Sequence, residues 1–214
     1  DQRMQKAKSG QWWETHPYRS LANNSVVYTE TPDLDIFMGE WMGLYESKSG
    51  ERGLFNRQAV RKKVESLGRR DPDQEWGSNP CCEILMRDKQ FCNLSQVTVR
   101  PNDDLKSLVR KIRLASILGT IQSTLTNFNH ISKTWRENTE EERLLGVGMT
   151  GILDNPMLVN PSKDLTEVLV RLREEAVETN KVWAEKLGVP QSSAVTTIKP
   201  AGNSSQLTDT ASGL

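Results

Sequence analysis

An amide, a thiol and a carboxylate lie within five positions of the sequence, at Asn79, Cys81 and Glu83. In an extended chain, residues two positions apart point to the same side of the backbone, so these three groups would face one point. The carboxylate can then accept a proton, and the amide can form hydrogen bonds to a bound molecule. The spacing therefore predicts a small catalytic cluster at an extended tip of the chain.

A second thiol, Cys92, follows eleven positions after Cys81, far enough for the chain to turn and return it beside the first. Cys82 points to the opposite face of an extended tip and is interpreted as packing. A free cysteine is often only a small buried hydrophobic residue, and this interpretation stays open for each thiol. Zinc fits the three cysteines poorly, because two are adjacent and no further cysteine pair or histidine accompanies them.

The cluster resembles the catalytic loop of ribonucleotide reductases, whose signature is Asn-x-Cys-x-Glu. Its Asn-Pro-Cys form, followed at short distance by Cys-Asn-Leu, resembles the class II branch, which depends on adenosylcobalamin. Four further segments resemble the same branch: Asn23-Asn24-Ser25-Val26, Gly50-Glu51-Arg52-Gly53-Leu54-Phe55-Asn56, Gly148-Met149-Thr150-Gly151-Ile152 and Thr197-Ile198-Lys199-Pro200. The resemblance therefore extends over nearly the whole chain.

This resemblance implies an oxidoreductase that converts ribonucleotides to 2′-deoxyribonucleotides by a thiyl-radical mechanism, with adenosylcobalamin as cofactor. The implied fold is a ten-stranded α/β barrel with a central catalytic loop. Cys81 would carry the thiyl radical, Glu83 would be the general base on the 3′-hydroxyl, and Asn79 would hold the ribose hydroxyls. Cys92 would be one member of the thiol pair that supplies two electrons.

A second candidate site is the turn formed by Ala201, Gly202, Asn203, Ser204 and Ser205. Backbone amides at a helix start can hold an anion, although a serine-rich turn is more often only a helix cap. In the reductase family the matching turn binds the substrate phosphates. The resemblance therefore predicts a phosphate site here, in which Asn203 replaces the hydroxyl residue of some relatives.

Aromatic and basic residues near the start of the chain fall where the family has its effector loop. The residues are Trp12, Trp13, Tyr18 and Arg19, and they could stack on or contact the base of a deoxynucleotide effector. An ordinary surface loop is an equally good interpretation of each residue taken separately.

The chain is expected to be part of a longer enzyme. In the family, the thiol that pairs with the equivalent of Cys92 lies on an early barrel strand. The family also has C-terminal shuttle cysteines that relay electrons from a thioredoxin-type reductant. No residue of this chain replaces either the partner thiol or the shuttle cysteines. The resemblance thus implies that residues 1–214 form a partial barrel, lacking N-terminal strands and the C-terminal tail. Its partners would be a ribonucleotide, a deoxynucleotide effector, a thioredoxin-type reductant and the remaining reductase segments.

Two alternatives stay open. The chain could come from a class I large subunit, which takes its radical from a diiron partner, or it could be a structural segment that is inert without the missing parts. Within class II, the resemblance around Cys92 and Gly148 favours the triphosphate-reducing, monomer-like type.

Composition excludes several other functions. Lys plus Arg and Asp plus Glu both total 28, so no net charge favours DNA, RNA or a membrane surface as a partner. No apolar run of about 18 residues and no secretory signal is present, which predicts a cytoplasmic protein. His16 and His130 have no second ligand at a metal-site spacing, so no metal is expected.

The candidate site residues must be positioned by the helices and strands of the fold. Apolar periodicity predicts helices at 33–45, 58–67, 103–128 and 163–187, and β-branched or small-residue runs predict extended chain at 24–29, 146–152 and 194–198. The stretch through Arg19 is predicted to be irregular. Strands that alternate with helices indicate an α/β fold.

Overall fold

A computed structural model describes residues 2–22, 24–48, 52–161 and 163–213 of the chain. Three of the residues quoted above, Asn23, Gly50 and Glu51, lie outside the described residues. The chain divides into two compact units, residues 1–88 and residues 89–214.

The first unit combines short helices with two small sheets. Its described elements are α1 (Gln2–Gln5), α2 (Trp12–Thr15), a 3-10 helix (Pro17–Leu21), β1 (Asn24–Tyr28), α3 (Leu34–Ser47), β2 (Arg52–Asn56), α4 (Arg57–Leu67), β3 (Gly77–Ser78) and β4 (Leu85–Met86). Strands β1 and β2 are parallel, whereas β3 and β4 are antiparallel.

A small apolar cluster stabilises this unit. Phe55, Val64 and Trp76 are buried together, one each from β2, from α4 and from the segment before β3. Helix α4 begins where the Asn56 side chain accepts a hydrogen bond from an amide of the first turn, and it ends at Gly68 in the left-handed conformation. The cluster and the two caps therefore fix the segment that leads to Asn79.

The second unit packs two long helices on each other, and one of them packs on a parallel strand pair. Its described elements are β5 (Asn93–Thr98), α5 (Leu105–Gln122), α6 (Lys133–Glu142), β6 (Leu145–Thr150), a 3-10 helix (Ile152–Asp154), α7 (Pro156–Val159), α8 (Lys163–Leu187) and α9 (Gly202–Thr208). Strand β6 is buried along its whole length, as is usual for a parallel strand covered on both faces.

Helices α5 and α8 pack on each other, and α5 also packs on both strands. The buried apolar residues of this core are Val97, Val99, Leu108, Ile112, Ala115, Leu145, Val147, Met149, Leu158, Leu172, Ala176 and Val195. Burial of this many aliphatic side chains is the main stabilising contribution to the unit.

The segment 194–198 pairs with the edge of β6 that does not face β5. The Val147 amide donates to the Val195 carbonyl at 2.9 Å, and the Thr197 amide donates to the Val147 carbonyl at 3.1 Å. The Asn180 side chain of α8 is completely buried, and it bonds Thr120 of α5 and Ser192 just before this segment, each at 3.0 Å. The polar network therefore aligns the segment that leads into residues 200–205.

These elements confirm most of the predicted ones and correct others. Helix α8 has its predicted bounds, but α5 ends at Gln122 rather than at 128, and the segment 194–198 forms an isolated bridge rather than a full strand. Helix α6 was not predicted. The start of the chain, predicted to be irregular, contains α1, α2 and a 3-10 helix.

The architecture is mixed α/β, with three two-stranded sheets among the described residues. No helix within these residues is both long enough and apolar enough to cross a membrane.

Candidate active site

Cys81 lies in a tight turn rather than in the extended tip that the spacing suggested. The Cys82 amide donates to the Asn79 carbonyl at 3.0 Å, which closes a turn with Pro80 at its second position. Proline is favoured there because its fixed φ suits the turn. The expectation of strict alternation from Asn79 to Glu83 was therefore wrong, because the backbone reverses direction at Cys81. The Cys81 side chain is exposed, and its thiol is free.

The Asn79 side chain closes the base of this loop. The side-chain Oδ1 accepts a hydrogen bond from the Ile84 backbone amide at 3.0 Å, and the backbone amide of Asn79 donates to the Ile84 carbonyl at 3.3 Å. The Asn79 Nδ2 group is then the part of the side chain that can donate to a ligand. Glu83, between Cys82 and Ile84, is half-buried.

A cavity of about 290 Å³ opens beside this loop within the first unit. Its lining combines apolar, aromatic and polar groups: Ser25, Val27, Phe55, Arg57, Trp76, Gly77, Ser78, Asn79 and Pro80. A concave site of mixed chemistry next to a free thiol is a common setting for catalysis.

In the second unit, half-buried Cys92 comes directly before β5. A Cβ on Gly146, in the neighbouring strand β6, would lie 2.6 Å from a methyl carbon of Leu94 and 3.3 Å from the Cys92 sulfur. Both distances are too short for an ordinary contact. Glycine at this position therefore makes room for Leu94 and the thiol.

Alternation along β5 gives its two faces different roles. Val97 is buried in the helix-packed core, whereas Gln96 carries its side chain on the face shared with Cys92 and Leu94. The Gln96 Oε1 accepts a hydrogen bond from the Ser204 hydroxyl. Gln96 Nε2 is buried and has no hydrogen-bond partner among the described residues. The face that carries Cys92 therefore continues to the turn at residues 200–205.

That turn opens helix α9, as predicted. Ala201 has a left-handed backbone with φ 57°, and the helix begins at Gly202. Ser205 is buried and donates its hydroxyl hydrogen bond to the Gly202 carbonyl at 3.1 Å, while Asn203 is exposed. The Ser204 and Ser205 hydroxyls thus contact protein groups, and the exposed positions are Gly202 and Asn203.

The expected effector residues lie in α2 and in the following 3-10 helix. Trp13 and Tyr18 are more than half exposed. The Arg19 guanidinium donates to the Ala7 carbonyl at 2.6 Å, and the Tyr18 hydroxyl bonds His16 Nδ1 at 3.2 Å. The two aromatic rings are therefore accessible, while Arg19 contributes to local structure.

The predicted site residues divide between the two units. Asn79, Cys81 and Glu83 belong to one loop of the first unit, and Cys92 and the 201–205 turn belong to the second. Gln96 was not predicted, although a period of two counted from Cys92 could have identified it. Within the described part of the chain, no group of three or more His, Cys, Asp or Glu side chains could hold a metal ion.

Comparisons with known proteins bear on this arrangement. No protein-family model matches the chain. The chain is 25% identical to the adenosylcobalamin-dependent ribonucleoside-triphosphate reductase of Lacticaseibacillus paracasei, in an alignment that covers 94% of this chain and 30% of that enzyme. The resemblance to class II ribonucleotide reductases is confirmed.

The fold gives a second similarity. A crystal structure of a B12-dependent, class II ribonucleotide reductase superposes with a TM-score of 0.68 and 23% sequence identity. The superposition covers 99% of this chain and 32% of that one. The chain thus spans about a third of the length of the class II reductases that it matches. A class I assignment is not favoured.

Proposed function

We propose that the chain forms part of the catalytic core of an adenosylcobalamin-dependent ribonucleotide reductase. The observation that carries this proposal is the exposed Cys81 thiol at a proline turn, with Asn79 and Glu83 in the same loop. The similarity to a class II reductase over 94% of the chain supports it. In this proposal residues 1–214 contribute to a ten-stranded barrel whose other strands come from additional segments.

The Cys81 loop suits the cofactor that such enzymes use. Adenosylcobalamin, when bound, supplies the radical that removes a hydrogen atom from a thiol. An exposed, free thiol at a turn is accessible to such a group, whereas a buried one is not. Cys81 would therefore be the residue that faces the cofactor.

Different residues of the chain would then act at successive steps of the reaction on the substrate. As a thiyl radical, the Cys81 sulfur would take the hydrogen atom from C3′ of the ribose, and Glu83 would accept the proton of the 3′-hydroxyl. Glu83 passes this proton to the 2′-hydroxyl, which leaves as water, and the remaining 3′-keto-2′-radical needs two electrons and two protons. Cys92 and a second thiol supply both electrons and both protons as they become a disulfide, and Cys81 finally returns its hydrogen atom to C3′.

Two features support substrate binding in this scheme. Asn79 Nδ2 would donate to a ribose hydroxyl, since the Oδ1 atom already accepts the bond that closes the loop. The turn from Ala201 to Ser205 offers backbone amides at a helix start for the phosphates. Gln96 supports that turn through its bond to Ser204.

The substrate, effector, reductant and location are assigned from the resemblance to class II reductases. We assign a triphosphate substrate, a deoxynucleotide effector near Trp13 and Tyr18, and a thioredoxin-type reductant that restores the Cys92 thiol. We also assign a cytoplasmic location, in keeping with de novo deoxyribonucleotide synthesis for DNA replication.

The test is an assay of the complete protein that contains this chain. It would be incubated with each ribonucleotide, adenosylcobalamin and a dithiol, and deoxynucleotide would be measured over time. Formation of deoxynucleotide that depends on the cofactor and is lost in Cys81→Ser supports the proposal. Glu83→Gln should slow turnover by about 10²–10⁴-fold, because an amide cannot accept the proton. Equal turnover by Cys81→Ser and the parent would overturn it, as would complete inactivity of the complete protein with every ribonucleotide.

A further inference from the structure

Cys82, next to the proposed radical-bearing residue, has an unusual backbone conformation. Its φ is 61°, in the left-handed region that residues with a Cβ rarely adopt. Several other non-glycine residues with positive φ end helices, where this conformation is common: Lys48, Arg143 and Asp209. Cys82 ends no helix, so its conformation needs another source of stabilisation.

The Cys82 side chain contacts the parallel strand pair of the first unit. The Ser78 hydroxyl donates to the Cys82 sulfur at 3.4 Å, and the sulfur lies 3.6 Å from the Ser25 hydroxyl oxygen. A sulfur that accepts from Ser78 can donate its own proton to Ser25, so the two contacts are compatible. The thiol therefore connects the turn to strand β1.

Gly53 makes room for this contact. Ser25 and Gly53 are directly paired across β1 and β2. A Cβ at position 53 would lie 2.9 Å from the Ser25 hydroxyl oxygen and 3.3 Å from the Cys82 sulfur. The thiol thus occupies a space that exists because residue 53 has no side chain.

We propose that Cys82 is a positioning residue, whose thiol holds the Cys81 turn against the β1–β2 pair. The bonds from Asn79 to Cys82 and Ile84 shape the loop internally, whereas the Cys82 thiol reaches outside the loop. A loop fixed in this way presents the Cys81 sulfur in one place, and positioning of a reacting group is worth large factors in rate. This inference rests on the proposed role of Cys81.

Three substitutions in the complete protein separate the thiol from the backbone conformation. Cys82→Ala removes both polar contacts, Cys82→Ser keeps a group that can bond Ser25 and Ser78, and Cys82→Gly removes the thiol but favours a positive φ. Lys48→Gly is the matched control, because it also relieves a left-handed residue in the first unit, far along the chain from Cys81.

The first measurement is amide hydrogen exchange of the peptide that spans residues 78–85, without nucleotide. The Cys82 and Ile84 amides should exchange on the order of tenfold faster in the alanine and glycine variants, because the loop opens more often. The serine variant and Lys48→Gly should match the parent. This measurement needs no turnover, so it tests the positioning role even if the protein reduces no nucleotide.

The second measurement is steady-state reduction in the same variants. The alanine and glycine variants should lose on the order of tenfold in kcat with KM little changed, and serine should recover most of that loss. Full activity and parental exchange in Cys82→Gly would overturn the inference, since the thiol would then have no positioning role. Loss of activity in Cys82→Ser equal to that in Cys82→Ala, with release of free base, would also overturn it by identifying Cys82 as a redox thiol.

Discussion

The side chains of Gln96 and Ser204 are hydrogen-bonded to each other although they lie 108 positions apart in the sequence. Gln96 shares a face of β5 with Cys92, and Ser204 belongs to the first turn of α9. The bond therefore ties the strand that follows the proposed reductant thiol to the turn that we assign to substrate phosphates.

Substitutions of Gln96 test whether its hydrogen bond to Ser204 supports phosphate binding at this turn. Gln96→Leu removes the acceptor, whereas Gln96→Glu keeps an acceptor for Ser204 and adds a negative charge. If the turn binds phosphates, KM for the ribonucleotide should rise several-fold in the leucine variant and further, on the order of tenfold, in the glutamate variant.

The control is Gln191→Leu, at an exposed position of the same unit. Its kinetics should match those of the parent. A glutamate variant with a KM no higher than that of the leucine variant would contradict a phosphate site near Ser204.

Replacing Cys81 by serine and replacing Cys92 by serine should affect the reaction in different ways. Cys81→Ser should abolish reduction while nucleotide affinity stays nearly unchanged, because a hydroxyl yields its hydrogen atom far less readily than a thiol. Cys92→Ser should still permit attack on the 3′-hydrogen, so substrate should decompose and release free base.

The measurement follows deoxynucleotide and free base together, with equilibrium binding of the nucleotide as a parallel check. Equal release of base by the two variants would show that their roles are not distinct.

Gly146→Ala should disturb the surroundings of Cys92. The new methyl group would meet Leu94 and the Cys92 sulfur, and overpacking of this kind costs about 1–3 kcal/mol. Thermal unfolding should show the loss, and kcat should fall because the sulfur moves.

A second substitution separates these two effects. Adding Leu94→Ala removes the closest atom, so the double variant should regain stability without regaining kcat, because the contact with Cys92 remains. Gly39→Ala is the control, since no atom lies within 4 Å of its Cβ position on α3 and alanine favours the helix. Full kcat in Gly146→Ala would refute the predicted sensitivity of Cys92.

Glu175 of α8 should contribute to stability in a pH-dependent way. A hydrogen bond from Arg113 at 2.6 Å holds the pKa of this carboxyl below its ordinary value of 4.5, with burial opposing and Arg171 assisting. Because the pKa is lower in the folded state, this stabilisation is present above pH 4.5 and is lost as the pH falls through the folded pKa.

Glu175→Gln should therefore lower Tm by roughly 2–4 °C at pH 7, and the difference from the parent should shrink in acid. The exposed neighbour Glu174 supplies the control variant, Glu174→Gln, which should leave Tm close to the parental value. A deficit in Glu175→Gln that stays constant down to pH 3 would argue against the ion pair as its source.

Some helices could be predicted from the sequence because their apolar pattern and the residues at their ends indicate the same bounds. Helix α8 has a regular apolar face and is followed by Gly188 and Pro190, so both ends were predicted correctly. Helix α5 was predicted too long, since its aliphatic pattern continues past Gln122. There the hydroxyls of Ser123 and Thr124 bond carbonyls of the last turn, and the chain leaves the helix.

Other features depend on contacts that no local pattern reveals. Helix α6 is mostly polar, but Thr139 and Glu142 are buried in it and Trp135 stacks on Phe91. The composition of the Cys81 cluster could be predicted, whereas its turn was overlooked although Pro80 favours one. The Gln96–Ser204 pair joins distant segments, which explains why sequence spacing did not suggest it.

The space beside Gly53 also limits how this part of the chain can change during evolution. Any side chain at position 53 would compete with the Cys82 thiol for the gap next to Ser25. Relatives that have lost the glycine should therefore carry a residue without a bulky side chain at position 82, and relatives with glycine at position 82 should be free to vary at position 53. The identities at positions 25, 53 and 82 are thus expected to covary as a group.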